Sequence, residues 1–310
     1  MSKKKILVTG AAGFLGSNLI DQLIVDENEV IGIDNLSTGS YAKIRHLKDH
    51  PNFTFYNRDV KDPYQMDVDQ IYNLACPASP IRYQEDPIDT IMTCFDGMVS
   101  ALACGTACNA TILQASTSEI YGDPAMHPQL ETYWGNVNPI GVRSCYDEGK
   151  RIAETLCFDY QRSYGTDIRV ARIFNTYGPR MEHDDGRVVS NFVNQAIKGE
   201  PITIYGDGSQ SRSFCYVDDM VAGLIALMNS DYSATPVNLG NPEEFTMHEL
   251  ANYVLDLTGS KSQLVQLPLP QDDPKQRQPN INLAKQELGW ESSVELVDGL
   301  ATTIEYFLEQ

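Results

Sequence analysis

Three glycines set three apart, Gly10-Ala-Ala-Gly13-Phe-Leu-Gly16, follow the apolar run Ile6–Thr9 and open an apolar-periodic stretch. A strand, a bare-backbone turn and a helix must follow one another there. Gly10 permits the tight turn, Gly13 lets backbone approach a pyrophosphate, and Gly16 lets the helix pack against the strand. The helix amino terminus then faces the phosphates. Asp34 closes the next strand-like run at the distance expected of an acid that accepts from ribose hydroxyls, and it would repel a 2′-phosphate. The pattern therefore predicts a dinucleotide site that favours NAD over NADP, although Lys43 and Arg45 lie not far downstream.

Alternation extends this beginning into a fold. Ile6–Thr9, Glu29–Ile33, Thr54–Tyr56, Gln70–Leu74, Thr111–Ala115 and Ile168–Arg172 read as buried strands. Phe14–Val25, Ile88–Ala107 and Asp147–Tyr164 read as helices. Strands alternating with helices predict an α/β chain with a Rossmann-type, doubly wound parallel sheet. Beyond Pro179 the rhythm breaks into Val189–Lys198, Ile202–Tyr205, Asp218–Met228, Met247–Thr258 and a Pro-rich stretch from Pro268 to Pro279. The reading is an NAD-binding domain over 1–179, with 213–242 returning to it. A smaller α/β substrate domain takes 180–212 and 243–310.

Charge narrows the partners. With 23 basic and 42 acidic residues the formal charge is −19, which argues against nucleic acid and anionic membrane. An anionic ligand must then be held by local Arg clusters and helix amino termini. Seven cysteines without a CxxC read as free thiols of a reducing compartment, and no ligand set for a metal is apparent. The first ten residues run straight into a strand, too short for a signal peptide, and no run approaches a membrane span. The expectation is a soluble cytoplasmic protein.

Tyr146 and Lys150 sit four apart at the start of the Asp147–Tyr164 stretch, so both project from one helix face. A phenol titrates near ~10 and is a poor base at neutral pH. A neighbouring ammonium lowers that value, so the pair makes a proton acceptor for an alcohol being oxidised. Joined to the glycine turn upstream, it points to nicotinamide chemistry.

Longer blocks carry a resemblance. They are Leu74-Ala-Cys-Pro-Ala-Ser-Pro80 with Tyr83, Ala115-Ser-Thr-Ser-Glu-Ile-Tyr-Gly122-Asp-Pro, Tyr133-Trp-Gly-Asn-Val-Asn-Pro139-Ile-Gly, Cys145-Tyr-Asp-Glu-Gly-Lys-Arg-Ile-Ala-Glu-Thr-Leu156, Ala171-Arg-Ile-Phe-Asn-Thr-Tyr-Gly-Pro-Arg-Met181, Asp185-Gly-Arg-Val-Val-Ser-Asn-Phe192, and Asp272-Asp-Pro with Arg277. Through them the chain resembles the extended short-chain dehydrogenase/reductases nearly end to end, and within these the branch that decarboxylates UDP-glucuronate. Val142 stands where that branch more often has Pro, and Asn280 where it more often has Asp.

The resemblance implies oxidation at C4 of the sugar by NAD, loss of CO₂ from the resulting β-keto acid, protonation at C5 and return of the hydride to C4. It implies Tyr146 as base and later acid, Lys150 as its partner, Thr117 bonding the substrate hydroxyl or Tyr146, and Ser118 near the carboxylate. Glu119 acts around C5, by positioning a proton donor or by shaping the ring. Arg277 reaches the substrate. Pro80, Tyr83, Asn175, Arg187, Val189, Asn191, Tyr205 and Arg212 fall to the nucleotide sugar. Phe14, Leu15, Asn35, Ser37, Thr38, Gly39, Leu74, Ala75 and Thr93 join the glycines and Asp34 around NAD, and Asp59-Val60, by its place after the third strand, reads as an adenine contact or as a surface loop acid. A homodimer through the Ile88–Ala107 and Asp147–Tyr164 helices is implied too. The competing readings are a nucleotide-sugar 4-epimerase, a 4,6-dehydratase, and a non-catalytic NAD-binding scaffold. Ser118 disfavours dehydration, because a serine hydroxyl is a poor acid for a leaving hydroxyl.

Overall fold

The computed structural model describes residues 3–184, 186–269 and 276–310. Asp185 and the Asp272-Asp-Pro segment of the resemblance lie outside the described residues. Six strands come first: β1 Lys5–Thr9, β2 Glu29–Asp34, β3 Phe53–Asn57, β4 Gln70–Asn73, β5 Thr111–Thr117 and β6 Ile168–Ile173. With the short strand Val237–Leu239 on the edge beside β6 they form one sheet, in the order Val237–Leu239, β6, β5, β4, β1, β2, β3. Every pairing in it is parallel. The expected doubly wound parallel sheet is therefore present, and boundaries differ from the sequence reading by one or two residues.

Parallel sheets are covered on both faces, so their strands are apolar throughout. Alternation along β1 shows this: Ile6 and Val8 join one core, with Leu19, Ile20 and Leu23 of helix α1 (Phe14–Val25) and Met220 and Leu224 of α6 (Val217–Met228). Leu7 points the other way, into a second core with Met98 and Leu102 of α3 (Pro87–Cys108) and Ala153 and Cys157 of α4 (Ser144–Tyr164). The strand order reverses between β1 and β4, so their carboxyl ends splay and leave a crevice above them.

One expectation is corrected here. At 22 residues, α3 is long and apolar enough, by length and composition, to cross a membrane. Its face through Thr90, Cys94, Met98, Ala101, Leu102 and Gly105 is buried, as a helix covering a parallel sheet requires. A second stripe, Ile88, Met92, Phe95, Val99 and Ala103, is exposed or half-buried, which accounts for apolar residues all round.

Helix α5 (Val188–Lys198) and α7 (Met247–Thr258) pack together beyond the crevice. Ile202–Tyr205 pairs with Leu264–Leu267. Ser211–Ser213 is flanked by Glu244–Thr246 on one side and Gln276–Arg277 on the other, placing Arg277 directly beside Arg212. These short strands roof the crevice from residues far apart in the chain.

Candidate active site

A cleft of about 680 Å³ opens over the carboxyl ends of the parallel strands. Gly10, Gly13, Phe14, Leu15, Gly16, Asp34, Asn35, Ser37, Thr38, Gly39, Val60, Leu74, Ala75 and Thr93 line one part of it. The glycine turn is packed to its limit. Gly10 has φ +70°, and a Cβ on Gly16 would lie 2.0 Å from the Gly10 carbonyl oxygen. Gly13 caps α1 without a side-chain acceptor, and the first turn carries no acid. Its free amides therefore face the cleft, as an anion requires. The Asp34 carboxylate accepts from the Ala12 amide (2.9 Å) and the Leu36 amide (2.7 Å), tying the glycine turn to the end of β2. Burial raises its pKa, and those amides work against the rise. Two bonds leave acceptor capacity on the carboxylate for a diol. The donor set, the bare cradle and the acid fit an adenine dinucleotide. Asp59 closes its own loop, accepting from Asn35 Nδ2 (3.1 Å) and the Lys61 amide (2.9 Å). Its neighbour Val60 is the residue presented to the cavity.

Tyr146 and Lys150 both line the cleft from the first turns of α4. The Lys150 ammonium donates to the Ala115 carbonyl at 2.8 Å and stands 5.7 Å from the Tyr146 ring centre. The Thr117 hydroxyl bonds the phenol and favours its ionised form. The expected lowering of the phenol's pKa by Lys150 is not what the protein alone produces. Burial is the largest influence and pushes Tyr146 well above the ordinary range. Lys150 uses one of its three donors on the Ala115 carbonyl and keeps its charge, but burial outweighs it at the phenol.

Ser118 and Glu119 leave β5 in a tight turn, Ser118–Tyr121, whose first amide (Glu119 N–H) donates to Thr117 Oγ1 at 3.2 Å. That turn aims Glu119 at two guanidiniums. Arg277 grips it with both nitrogens, Nη1 at 2.5 Å and Nη2 at 2.9 Å, and Arg143 Nη2 donates at 2.6 Å. Burial alone would raise the acid, but Arg277 and then Arg143 override it and hold Glu119 at about 2. Glu119 is thus an anion at any working pH and not a proton donor. Arg143 escaped the sequence reading. Its signal was an Arg three before Tyr146, at the amino end of a helix, where a positive charge opposes the dipole and needs a reason. Arg277 lines the cleft as expected, yet its guanidinium is held by Glu119 rather than left open.

Pro80, Asn175, Arg187, Val189, Asn191, Tyr205 and Arg212 line the remaining part of the cleft. Arg187 lies over the Phe14 ring at 5.5 Å, so it bridges the two parts. Asn191 Nδ2 donates to Gly186 O at 3.1 Å and Arg212 Nη1 to Ser211 O at 2.9 Å, fixing both side chains. Tyr83 is 1% exposed and stacks flat behind Tyr146, ring centres 5.0 Å apart at 4°, so it braces the base. Lys43, one of the two cations near the NADP question, meets Glu182 at 2.5 Å.

The family model of the NAD dependent epimerase/dehydratase family matches residues 6–240. UDP-glucuronic acid decarboxylase 6 of Arabidopsis thaliana is 55% identical over 307 residues, spanning 99% of this chain and 89% of that one. UDP-glucuronic acid decarboxylase 1 of Danio rerio is 53% identical over 305 residues, 98% of this chain and 73% of that one. Among solved structures, the UDP-glucuronic acid 4-epimerase of Bacillus cereus, in complex with UDP-glucuronic acid and NAD, superposes with a TM-score of 0.90 at 27% identity, covering 98% and 99% of the two chains. The UDP-glucose 4-epimerase of Thermotoga maritima with UDP-glucose gives 0.91 at 29%, again covering 98% and 99%.

Proposed function

The chain belongs to the NAD dependent epimerase/dehydratase family, and we infer that it converts UDP-glucuronate to UDP-xylose with NAD as cofactor. Full-length likeness to named UDP-glucuronic acid decarboxylases supports the activity. The observation that carries the chemistry is Glu119 pinned as an anion between Arg143 and Arg277. Neither residue after Thr117 is the acid that dehydration needs for a leaving hydroxyl: Ser118 is a hydroxyl and Glu119 is ionised.

The residues divide the work as follows. Tyr146 takes the C4-hydroxyl proton, with Thr117 beside the same phenol oxygen. NAD, when bound, accepts a hydride and returns it, and its positive nicotinamide favours the phenolate. A C4 ketone makes the C5 carboxylate β to a carbonyl, so CO₂ leaves with the ketone as electron sink. The two guanidiniums exceed the one carboxylate between them by a single positive charge, suited to receiving the sugar acid. Arg187 and Arg212, near the phosphate end, supply the local cations that a chain of charge −19 needs for a nucleotide diphosphate.

Incubation with UDP-glucuronate and NAD, followed by NMR of the sugar and capture of CO₂, tests the reading. One CO₂ per UDP-xylose without lasting NADH supports it. UDP-galacturonate without CO₂ would replace it with epimerisation.

We also propose that two copies pair through α3 and α4. The apolar stripe Ile88, Met92, Phe95 and Val99 on α3 and the exposed Ile152 on α4 support this. Met92→Asp together with Ile152→Asp should shift the mass in solution from dimer to monomer by light scattering; an unchanged mass would sink the assignment.

A further inference from the structure

Two thiols meet beside the site without any role in the chemistry above. Cys76 lies on the loop after β4, lines the cleft and is half-buried. Cys94 is on α3, next to Thr93, on the face turned away from the exposed apolar stripe. Their sulfurs are 3.2 Å apart. Both are free. The third sulfur nearby, Cys145, is turned to the Tyr83 carbonyl at 3.4 Å.

We propose that Cys76 and Cys94 form a redox modification site, closed to a disulfide by a hydroperoxide and reopened by a dithiol, and that closure stops turnover. One thiol attacks the peroxide, whose O–O bond breaks; the sulfur becomes a sulfenic acid and the peroxide leaves as an alcohol or water. The second thiol attacks that sulfur, the S–S bond forms, and the hydroxyl departs as water with the remaining thiol proton. Two sulfurs together lose two electrons and the peroxide gains two. Whichever is oxidised first, the other is in place as resolver.

Closure moves the site because the bond is about 2.05 Å long, so the sulfurs must approach by about 1 Å. The space is tight: a Cβ on Gly149 would be 3.0 Å from the Cys94 sulfur. Gly149 sits between Tyr146 and Lys150 on α4, and Cys76 directly follows Leu74 and Ala75 of the cofactor wall. A displacement of that size in a catalytic constellation costs up to about 100-fold in rate.

The test treats the NAD-loaded protein with hydrogen peroxide, alkylates the remaining thiols, and maps peptides by mass spectrometry beside a turnover assay. The expected result is a cross-linked Cys76–Cys94 peptide 2 Da lighter than the two thiol peptides, turnover lowered at least about tenfold, and recovery with dithiothreitol. In Cys94→Ala, which keeps basal activity, no cross-link forms and a sulfenic-acid probe labels Cys76. Should that variant fail to fold, the wild-type peptide map decides alone. No Cys76–Cys94 cross-link, or a bridge at Cys104–Cys108 instead, overturns the site. A bridge with undiminished turnover overturns its coupling to the reaction. The peptide map is independent of substrate, so failure of this site and failure of the decarboxylase reading are separable.

Discussion

Glu119→Gln isolates the cluster that distinguishes this cleft. The change keeps shape and removes the negative charge between Arg143 and Arg277, which are 7% and 5% exposed. Glutamine keeps one acceptor oxygen where Glu119 had two, so at most two of the three hydrogen bonds survive, its NH2 faces guanidinium donors, and two buried guanidiniums lose the negative charge that bridges them. Removing one member of a buried ion pair costs about 3–5 kcal/mol, a large share of the roughly 5–15 kcal/mol of a whole fold. At a urea slope of about 3 kcal/mol per molar the midpoint falls by about 1 M or more. The sign with pH follows from the depressed pKa. Glu119's contribution is complete above its unfolded value of 4.5 and fades as pH falls toward about 2. Glutamine does not titrate, so the gap between variant and wild type narrows below pH 4.5. Urea unfolding of both proteins at pH 7 and again at about pH 3.5 measures it. A gap under about 1 kcal/mol at pH 7, or one that stays constant with pH, would refute the buried anion. In turnover, CO₂ release should suffer more than C4 oxidation, since the carboxylate end of the site is what changes.

Other expectations follow from the same geometry. Tyr146→Phe keeps the stack on Tyr83 and NAD binding but loses about 10²–10⁴ in turnover; activity within a few-fold of wild type would remove Tyr146 as the base. Gly16→Ala drives a methyl into the Gly10 carbonyl, so NAD affinity should drop at least tenfold by fluorescence titration; unchanged affinity would contradict the cradle. Asp147 is buried, one oxygen has no partner, and burial with Glu119 nearby pushes its pKa up to about 7. A raised folded value means the folded state is penalised as pH climbs from 3.8 through about 7. Asp147→Asn should therefore raise the melting temperature at pH 8 with the gain vanishing near pH 4; a gain independent of pH would be inconsistent with that titration.

Local chemistry made much of this protein legible in its sequence. The glycine spacing, the acid closing β2 and the apolar alternation each act over a few residues, where sterics and hydrogen bonding leave one solution. That is why Gly10, Gly16, Asp34 and the strand series needed no knowledge of the rest of the chain. The Tyr146–Lys150 spacing likewise fixes a shared helix face. It does not fix electrostatics. The phenol's state depends on how deeply the fold buries Tyr146, and the place of the Lys150 ammonium on Ala115, 35 residues away. Tyr83 reads as a ligand contact from its block and Asp59 from its place after the third strand, yet which way each side chain turns is settled by packing on Tyr146 and by the Asn35 amide. Glu119 shows the limit most plainly. Nothing within ten residues of it says whether it is an acid or an anion. The fold brings Arg277 to it across 158 positions and Arg143 across 24, and those two charges override burial to set its state. The same holds for Cys76 and Cys94, ordinary thiols 18 apart in the chain that only the packing of a loop on α3 turns into a pair. Short-range sterics are written in sequence; the field at a buried atom is a sum over neighbours, and tertiary structure alone decides who they are.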